Sequence, residues 1–98
     1  VVTLEEELEA YRIVQAILRE VVDVSRVAKR DLKSYFNVLL DDTNRQPICR
    51  FHFHSKTKRI GLFDEKKNEE RVQIETLVDI YDHADRLRKA VQFYDDEK

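Results

Sequence analysis

The chain has 98 residues, 42% of them hydrophobic, and a formal net charge of −2, which together fit one domain with a single modest core. No apolar run is long enough to span a membrane, and the acidic first residues are not those of a signal peptide. The single cysteine, Cys49, cannot form an internal disulfide, so we expect a cytoplasmic protein. Because there is no initiator methionine, we expect residues 1–98 to be a fragment of a longer chain.

The first predicted element is a helix from about Leu4 to Val22. Thr3 and Glu6 have the spacing of a capping box, in which each side chain satisfies a backbone amide at the start of a helix. Apolar residues then recur at intervals of three and four, which predicts one buried stripe along the helix. This stripe comprises Leu4, Leu8, Tyr11, Val14, Leu18 and Val21.

A series of strands separated by polar turns follows. Residues 26–32 are charged and fit an exposed strand at an edge. Residues 35–40 are nearly all apolar and fit a strand that is covered on both faces or is central in the sheet. Residues 41–46 have turn composition, and Pro47 suits the first position of the next strand. Residues 48–54 alternate, which predicts one face with Cys49, Phe51 and Phe53 and another with Arg50, His52 and His54.

Two further strands are predicted before a second helix. Residues 59–63 contain the only glycine, Gly61, which indicates a bulge or a close approach of another group, and residues 71–74 form a last short strand. Thr76 to Asp79 resembles another capping box, and a second apolar stripe follows it. Its members are Leu77, Ile80, Tyr81, Ala84, Leu87, Val91 and Tyr94.

This order of elements predicts a single α+β domain. We expect an N-terminal helix, an antiparallel meander of four to five strands and a C-terminal helix, with both helices packed on one face of the sheet.

Charge is strongly segregated along the chain. Residues 1–25 have two basic and six acidic side chains. Residues 26–60 have nine basic and three acidic side chains, and residues 61–98 have seven basic and eleven acidic ones. The segments therefore carry −4, +6 and −4, which add up to the net −2. The excess of positive charge lies on the first strands and their turns, while the predicted helices are acidic.

The basic segment is a candidate phosphate-binding surface, because phosphate binding requires clustered long cations. The alternative is that these side chains merely solvate an exposed sheet. The candidate nucleic-acid-binding residues are Lys29, Arg30, Lys33, Arg45, Arg50, His52, His54, Lys56, Lys58 and Arg59.

Other chemistry is less well supported by the sequence. His52 and His54 share a predicted face, but no third metal ligand is fixed and Arg50 would oppose a cation, so we predict no metal site and no cofactor. The alternation places Cys49 among phenylalanines, as a core thiol and not a nucleophile.

A nuclease centre is a further candidate, because metal-dependent nucleases of the PD-(D/E)xK type need an aspartate and an acid-x-Lys pair. The sequence has half-matches at 31–33, 64–66 and 65–67, which are expected by chance in so charged a chain. We therefore assign no catalytic residue in this domain.

Three stretches, 30–42, 47–53 and 61–65, resemble the C-terminal region of bacterial type I restriction enzyme R-subunit-like endonuclease proteins. The resemblance covers nearly the whole chain. It implies that the nuclease signature, with any Mg²⁺ it uses, lies in a preceding domain of the parent protein, and that residues 1–98 form an accessory module.

Three functions follow as hypotheses. The first is an accessory DNA-binding module of a restriction-type nuclease. The second is a protein-interaction or dimerisation module, which pairs with another copy or with other domains of the parent protein. The third is a small nuclease domain that uses Asp31 or Asp64 with a divalent metal.

Overall fold

The computed structural model describes residues 5–32, 35–43, 45–53, 56–64 and 66–96. Along the chain, helix α1 (Glu5–Leu18) precedes five strands and helix α2 (Ala84–Asp96) follows them. The strands are β1 (Val27–Asp31), β2 (Phe36–Leu40), β3 (Pro47–His52), β4 (Arg59–Phe63) and β5 (Glu69–Gln73), and short 3₁₀ helices occupy Val24–Arg26 and Leu77–His83.

The five strands form one antiparallel sheet in the order β1-β2-β3-β4-β5, so each strand pairs with its neighbour in sequence. The predicted α+β fold is confirmed, because α1 and α2 pack together on one face of this meander. No helix within the described residues is long and apolar enough to cross a membrane.

The two faces of the sheet differ in chemistry because side chains alternate along each strand. One face packs against α1 and α2 through apolar residues that include Val38, Phe51 and Leu62. The other face, called the open face below, lies away from the helices. Cross-strand register assigns to it Ala28, Arg30, Asn37, Leu39, Arg50, His52, Arg59, Gly61, Phe63, Glu69, Arg71 and Gln73.

Two tyrosines attach the helices to the sheet. The Tyr11 hydroxyl of α1 donates to the Val27 carbonyl at 2.7 Å, and the Tyr94 hydroxyl of α2 donates to the Pro47 carbonyl at 2.8 Å. Both bonds satisfy a strand carbonyl at the start of β1 or β3. They fix the positions of the helices and so leave the open face uncovered by them.

Both helices differ from their predicted extents. The first helix ends at Leu18 instead of Val22, since a tight turn follows in which the amides of Val21 and Val22 both donate to the Leu18 carbonyl at 2.9 Å. Branching at the β-carbon of both valines lowers their helix propensity. The first predicted capping box lies outside the described residues, except for Glu6.

The second predicted helix begins as the 3₁₀ helix Leu77–His83 and continues as α2. The predicted capping box is confirmed, because the Asp79 carboxylate accepts from the amides of Glu75 and Thr76 at 2.9 and 3.2 Å. Placing Tyr81 on the buried stripe was wrong, since its side chain is exposed. A 3₁₀ helix has three residues per turn, so Leu77 and Ile80 align while Tyr81 turns to solvent.

The strand predictions are mostly confirmed. β2 is buried along its whole length, and β3 begins at Pro47 as expected. In the turn after β2, Asp41 and Asp42 adopt φ angles of 58° and 53°, which aspartate tolerates better than most residues. The last strand begins at Glu69 and not at Arg71.

The predicted bulge at Gly61 was wrong, because pairing on both sides of β4 is regular there and the irregularity lies between Val38 and Leu39. The alternative, a close approach of another group, is confirmed: Glu69 passes over Gly61.

Candidate functional site on the open face

A row of arginines crosses the open face perpendicular to the strands. The register pairs Arg30 with Asn37, Asn37 with Arg50, Arg50 with Gly61, and Gly61 with Arg71. Arginines therefore stand on β1, β3 and β5. Because neighbouring strands lie about 4.8 Å apart, successive arginine Cα atoms are spaced by about 10 Å.

The open face is predominantly cationic. Its strand residues include four arginines (Arg30, Arg50, Arg59 and Arg71) and one acid, Glu69, so the formal charge is +4 − 1 = +3 before any contribution from His52. On the opposite side, α1 carries four acids and one base, which gives −3. The fold therefore separates the charges that are mixed in the overall composition.

Glu69 lies at the centre of the cationic residues. Its Oε2 is 2.6 Å from His52 Nε2, and its Oε1 is 3.7 Å from Arg50 Nη1 and 3.6 Å from Arg71 Nε. The Glu69 side chain is 15% exposed, so this carboxylate is partly shielded from water. The arrangement shows that Arg50, Arg71 and His52 can share one anion.

Arg50 is held between aromatic rings. Its guanidinium carbon is 4.7 Å from the centroid of the Tyr35 ring and 5.1 Å from that of Phe63. The His52 ring is 5.8 Å from Tyr35, at an interplanar angle of 44°. Cation–π contacts of this kind orient an arginine and keep its planar group in place.

Two buried polar atoms beside this cluster have no hydrogen-bond partner among the described residues. They are Oδ1 of Asn37, whose residue is 4% exposed, and Nε of Arg50. Asn37 and Arg50 are direct cross-strand partners, so an unsatisfied acceptor and an unsatisfied donor stand on adjacent strands. Each such group costs about 1–3 kcal/mol when nothing completes it, and a bound water or ligand is the usual explanation.

The structure divides the ten predicted contact residues into groups. Arg30, Arg50, His52 and Arg59 lie on the open face, and Arg45 and Lys56 are exposed in the turns at either end of β3. Lys29 lies on the helix-facing side of β1, and Lys58 pairs with Glu6 of α1. Lys33 and His54 lie outside the described residues.

Some of these cations are already matched by acids. Arg30 Nε is 3.2 Å from Asp42 Oδ1, with both side chains substantially exposed, and Arg50 and His52 contact Glu69. The exposed Arg30–Asp42 pair is of a kind that contributes about 0–1 kcal/mol and is screened by salt, so a phosphate can replace Asp42 at modest cost. Lys58 is matched by Glu6, which belongs to the helix layer and not to the open face.

The half-matches to a nuclease motif do not converge. Asp31 ends β1, whereas Asp64 follows β4 at the opposite end of the strands, with β2 and β3 between them. The Asp64 carboxylate accepts from the amides of Lys66 and Asn68, both at 2.9 Å, and the Asn68 amide bond is the main cause that lowers its pKa. It therefore stabilises the β4–β5 turn. Among the described residues, no group of three His, Cys, Asp or Glu side chains is placed to hold a metal.

Cys49 is fully buried in the core, as predicted from its alternation with phenylalanines. Burial raises the pKa of its thiol well above the usual range, so the reactive thiolate is disfavoured.

Sequence reasoning missed Arg71, Glu69 and Tyr35. Arg71 and Glu69 belong to the acidic last third of the chain, and only strand pairing brings them to Arg50 and His52. Glu69 and Arg71 are two residues apart, which places them on the same face of a strand. The predicted strand began at Arg71, two residues too late, so it did not include Glu69. Tyr35 was included in an apolar strand, and its contact with Arg50 depends on side-chain packing between β2 and β3.

No protein-family model, curated protein or solved structure matches the chain. Membership of the restriction-enzyme family therefore stays a prediction from the resemblance, and function must be inferred from the chemistry of the open face.

Proposed function

We propose that this domain binds nucleic acid by contacting phosphates with the open face, and that it serves as a DNA-binding accessory module of a restriction-type nuclease. The observation that carries the proposal is the row formed by Arg30, Arg50 and Arg71. Arginine suits this role because its planar guanidinium binds phosphate oxygens in a bidentate manner. The row spans about 20 Å, so it can reach several consecutive phosphates of one strand.

The position of Glu69 supports an anion site. A carboxylate is the internal anion that Arg50, His52 and Arg71 now share. A phosphate oxygen is also negatively charged and can accept hydrogen bonds from the same side chains, so it can compete for these groups. The acidic α1 on the other side of the sheet would repel the nucleic acid and so orient it toward the open face.

The test is salt-dependent binding with single charge-neutralising variants. Affinity of the wild-type domain for a short labelled DNA should fall with salt, with a log–log slope of roughly −2 to −4 for three or four phosphate contacts. Arg30→Gln, Arg59→Gln and Arg71→Gln should each weaken binding and reduce that slope by about 0.7–0.9. Fluorescence anisotropy measures both quantities.

Arg12→Gln is the matched control, because Arg12 is exposed on α1 and the variant loses the same charge. Binding that falls equally in Arg12→Gln would indicate a general charge effect and contradict an open-face site. Salt-independent binding, or none at the lowest salt, would remove the proposal.

A second candidate function is self-association through β1. This strand is one edge of the sheet, and it lies between two exposed apolar residues, Val24 and Leu32, at 36% and 38% exposure. An edge strand offers unpaired backbone groups to a second copy, although the charges of Lys29 and Arg30 discourage such pairing.

Sedimentation equilibrium distinguishes this candidate. A dimer that Val24→Asp and Leu32→Asp both dissociate would support pairing at β1, whereas Val78→Asp, at another exposed apolar residue, should have no effect. A monomer at all concentrations tested would eliminate it.

A further inference from the structure

We infer that the open face binds an unpaired nucleic-acid strand in preference to a duplex, with Tyr35 as the ring on which a base stacks. This inference rests on the proposed function and names its substrate class. Phosphate contacts alone do not distinguish single strands from duplexes. The aromatic and unsatisfied polar groups beside the arginine row do, because they suit the faces and edges of exposed bases.

Tyr35 has the surroundings of a stacking platform. Its ring is half-buried, so it is fixed in position yet accessible, and Arg50 packs on it with the guanidinium carbon 4.7 Å from the ring centroid. The His52 ring, a second planar group, is 5.8 Å away. Single-strand-binding sheets combine such aromatic rings with cations that follow the backbone. In a duplex the base faces are hidden, and Tyr35 would have nothing to stack on.

The shape of the open face is unfavourable for reading a duplex groove. Five strands at about 4.8 Å spacing make a surface roughly 19 Å wide, whereas the major groove is about 12 Å wide and admits one helix or a two-stranded ribbon. Neither α1 nor α2 lies on this side. A flexible single strand can lie across the sheet and bring its phosphates to successive arginines.

The unsatisfied atoms of Asn37 and Arg50 fit the edge of a base. Asn37 Oδ1 can accept a hydrogen bond and Arg50 Nε can donate one, and neither atom has a partner within the described part of the chain. Exposed base edges present donors and acceptors side by side, so one base can complete both atoms once the Arg50 side chain moves to admit it. Asn37 is 4% exposed and lies in the middle of the arginine row, between Arg30 and Arg50.

The first experiment compares three labelled probes of equal length at the same low salt: oligo(dT), oligo(U) and a DNA duplex. We expect at least one single strand to bind about tenfold tighter than the duplex, the contribution expected from one stacked base. Whichever of oligo(dT) and oligo(U) binds more tightly shows whether the bound single strand is DNA or RNA. Equal or tighter binding of the duplex would overturn this inference but leave the proposed function standing, whereas no binding to any probe would overturn both.

The second experiment tests Tyr35 directly. Tyr35→Ala should weaken oligonucleotide binding about tenfold and Tyr35→Phe should restore it, because stacking needs the ring and not the hydroxyl. Tyr81→Ala is the control, since Tyr81 is exposed on the helix side and should not affect binding.

A spectroscopic readout covers the case in which Tyr35→Ala does not fold. The chain has no tryptophan, so Tyr35→Trp introduces a single tryptophan, which can be excited selectively over the remaining tyrosines and whose emission a stacked base quenches. Saturation with the preferred oligonucleotide should quench this emission. Unchanged emission at saturation, or wild-type affinity of a folded Tyr35→Ala, would overturn the inference.

Discussion

The side chain of Glu69 passes directly over Gly61, its diagonal neighbour on the adjacent strand, and a β-carbon at position 61 would collide with the Glu69 carboxylate. Gly61 does not have a positive φ angle, so glycine is needed here for space and not for an unusual backbone conformation. The missing side chain lets Glu69 reach across β4 to His52 on β3. The space above Gly61 on β4 therefore allows a carboxylate of β5 to contact a histidine of β3.

This relationship predicts a specific double-mutant result for Gly61→Ala. The added methyl group should displace Glu69 from His52 and lower the free energy of unfolding by about 1–3 kcal/mol, the usual penalty for overpacking. In a Glu69→Ala background the obstruction is gone, so the same substitution should cost less. Urea denaturation of the four proteins in the cycle measures the coupling. An equal penalty in both backgrounds would show that Glu69 is not the group being displaced.

A second prediction concerns Glu69 as the internal competitor of phosphate. Glu69→Gln removes the negative charge at the centre of the open face, so DNA affinity at low salt should rise about two- to fivefold, which corresponds to roughly 0.5–1 kcal/mol. The gain should diminish as salt screens the charges. Fluorescence anisotropy titrations at two salt concentrations measure both the gain in affinity and its decrease with salt.

Glu70→Gln is the matched control, because Glu70 is the next residue, alternates to the other face and pairs with Arg86 of α2 at 2.7 Å. It changes the net charge by the same amount. If Glu70→Gln raises affinity as much as Glu69→Gln does, the effect is one of net charge and the open face is not the binding site.

A third prediction is the pH dependence of Asp79→Asn. The Glu75 and Thr76 amides donate to the Asp79 carboxylate and hold its pKa below the value of a free aspartate. A pKa lowered by folding adds stability above the unfolded-state pKa of about 3.9, and that stability is lost as pH falls through the folded-state value. Asp79→Asn should therefore destabilise the domain near neutral pH and progressively less below about pH 4.

Thermal melts at neutral and acidic pH test this dependence. Asp82→Asn provides the comparison, since Asp82 is exposed in the same 3₁₀ helix and caps nothing in the described structure. A destabilisation by Asp79→Asn that persists at low pH would point to the lost geometry of the cap instead of its charge.

A fourth prediction uses Cys49 as a reporter of global unfolding. Because burial raises the pKa of its thiol and the residue is fully enclosed, a disulfide reagent should modify it only when the domain opens. Modification should be negligible in native buffer at neutral pH and complete in urea, with a midpoint that matches the loss of circular dichroism. Rapid modification without denaturant would contradict a core position for this thiol.

Local patterns in the sequence were sufficient to predict most elements of the fold. The alternation around Phe51 indicated the core face of β3, the apolar run 36–40 identified a fully buried strand, and Pro47 and Asp79 marked where elements begin. These features depend on neighbours within a few residues, so periodicity and capping chemistry reveal them. The same patterns did not distinguish a 3₁₀ from an α-helical start at Leu77, because the two differ only in how tightly the same turn is wound.

The sequence alone thus determined the order of helices and strands and the excess of cations in its middle third. The composition of the candidate site was decided only by tertiary structure. Arg30, Arg50 and Arg71 are twenty or more residues apart, and the strand register aligns them, while Lys29 and Lys58 turn to the helix side. A shift of one residue in any pairing would move a strand's side chains to the opposite face, and that register depends on the packing of the whole sheet against α1 and α2.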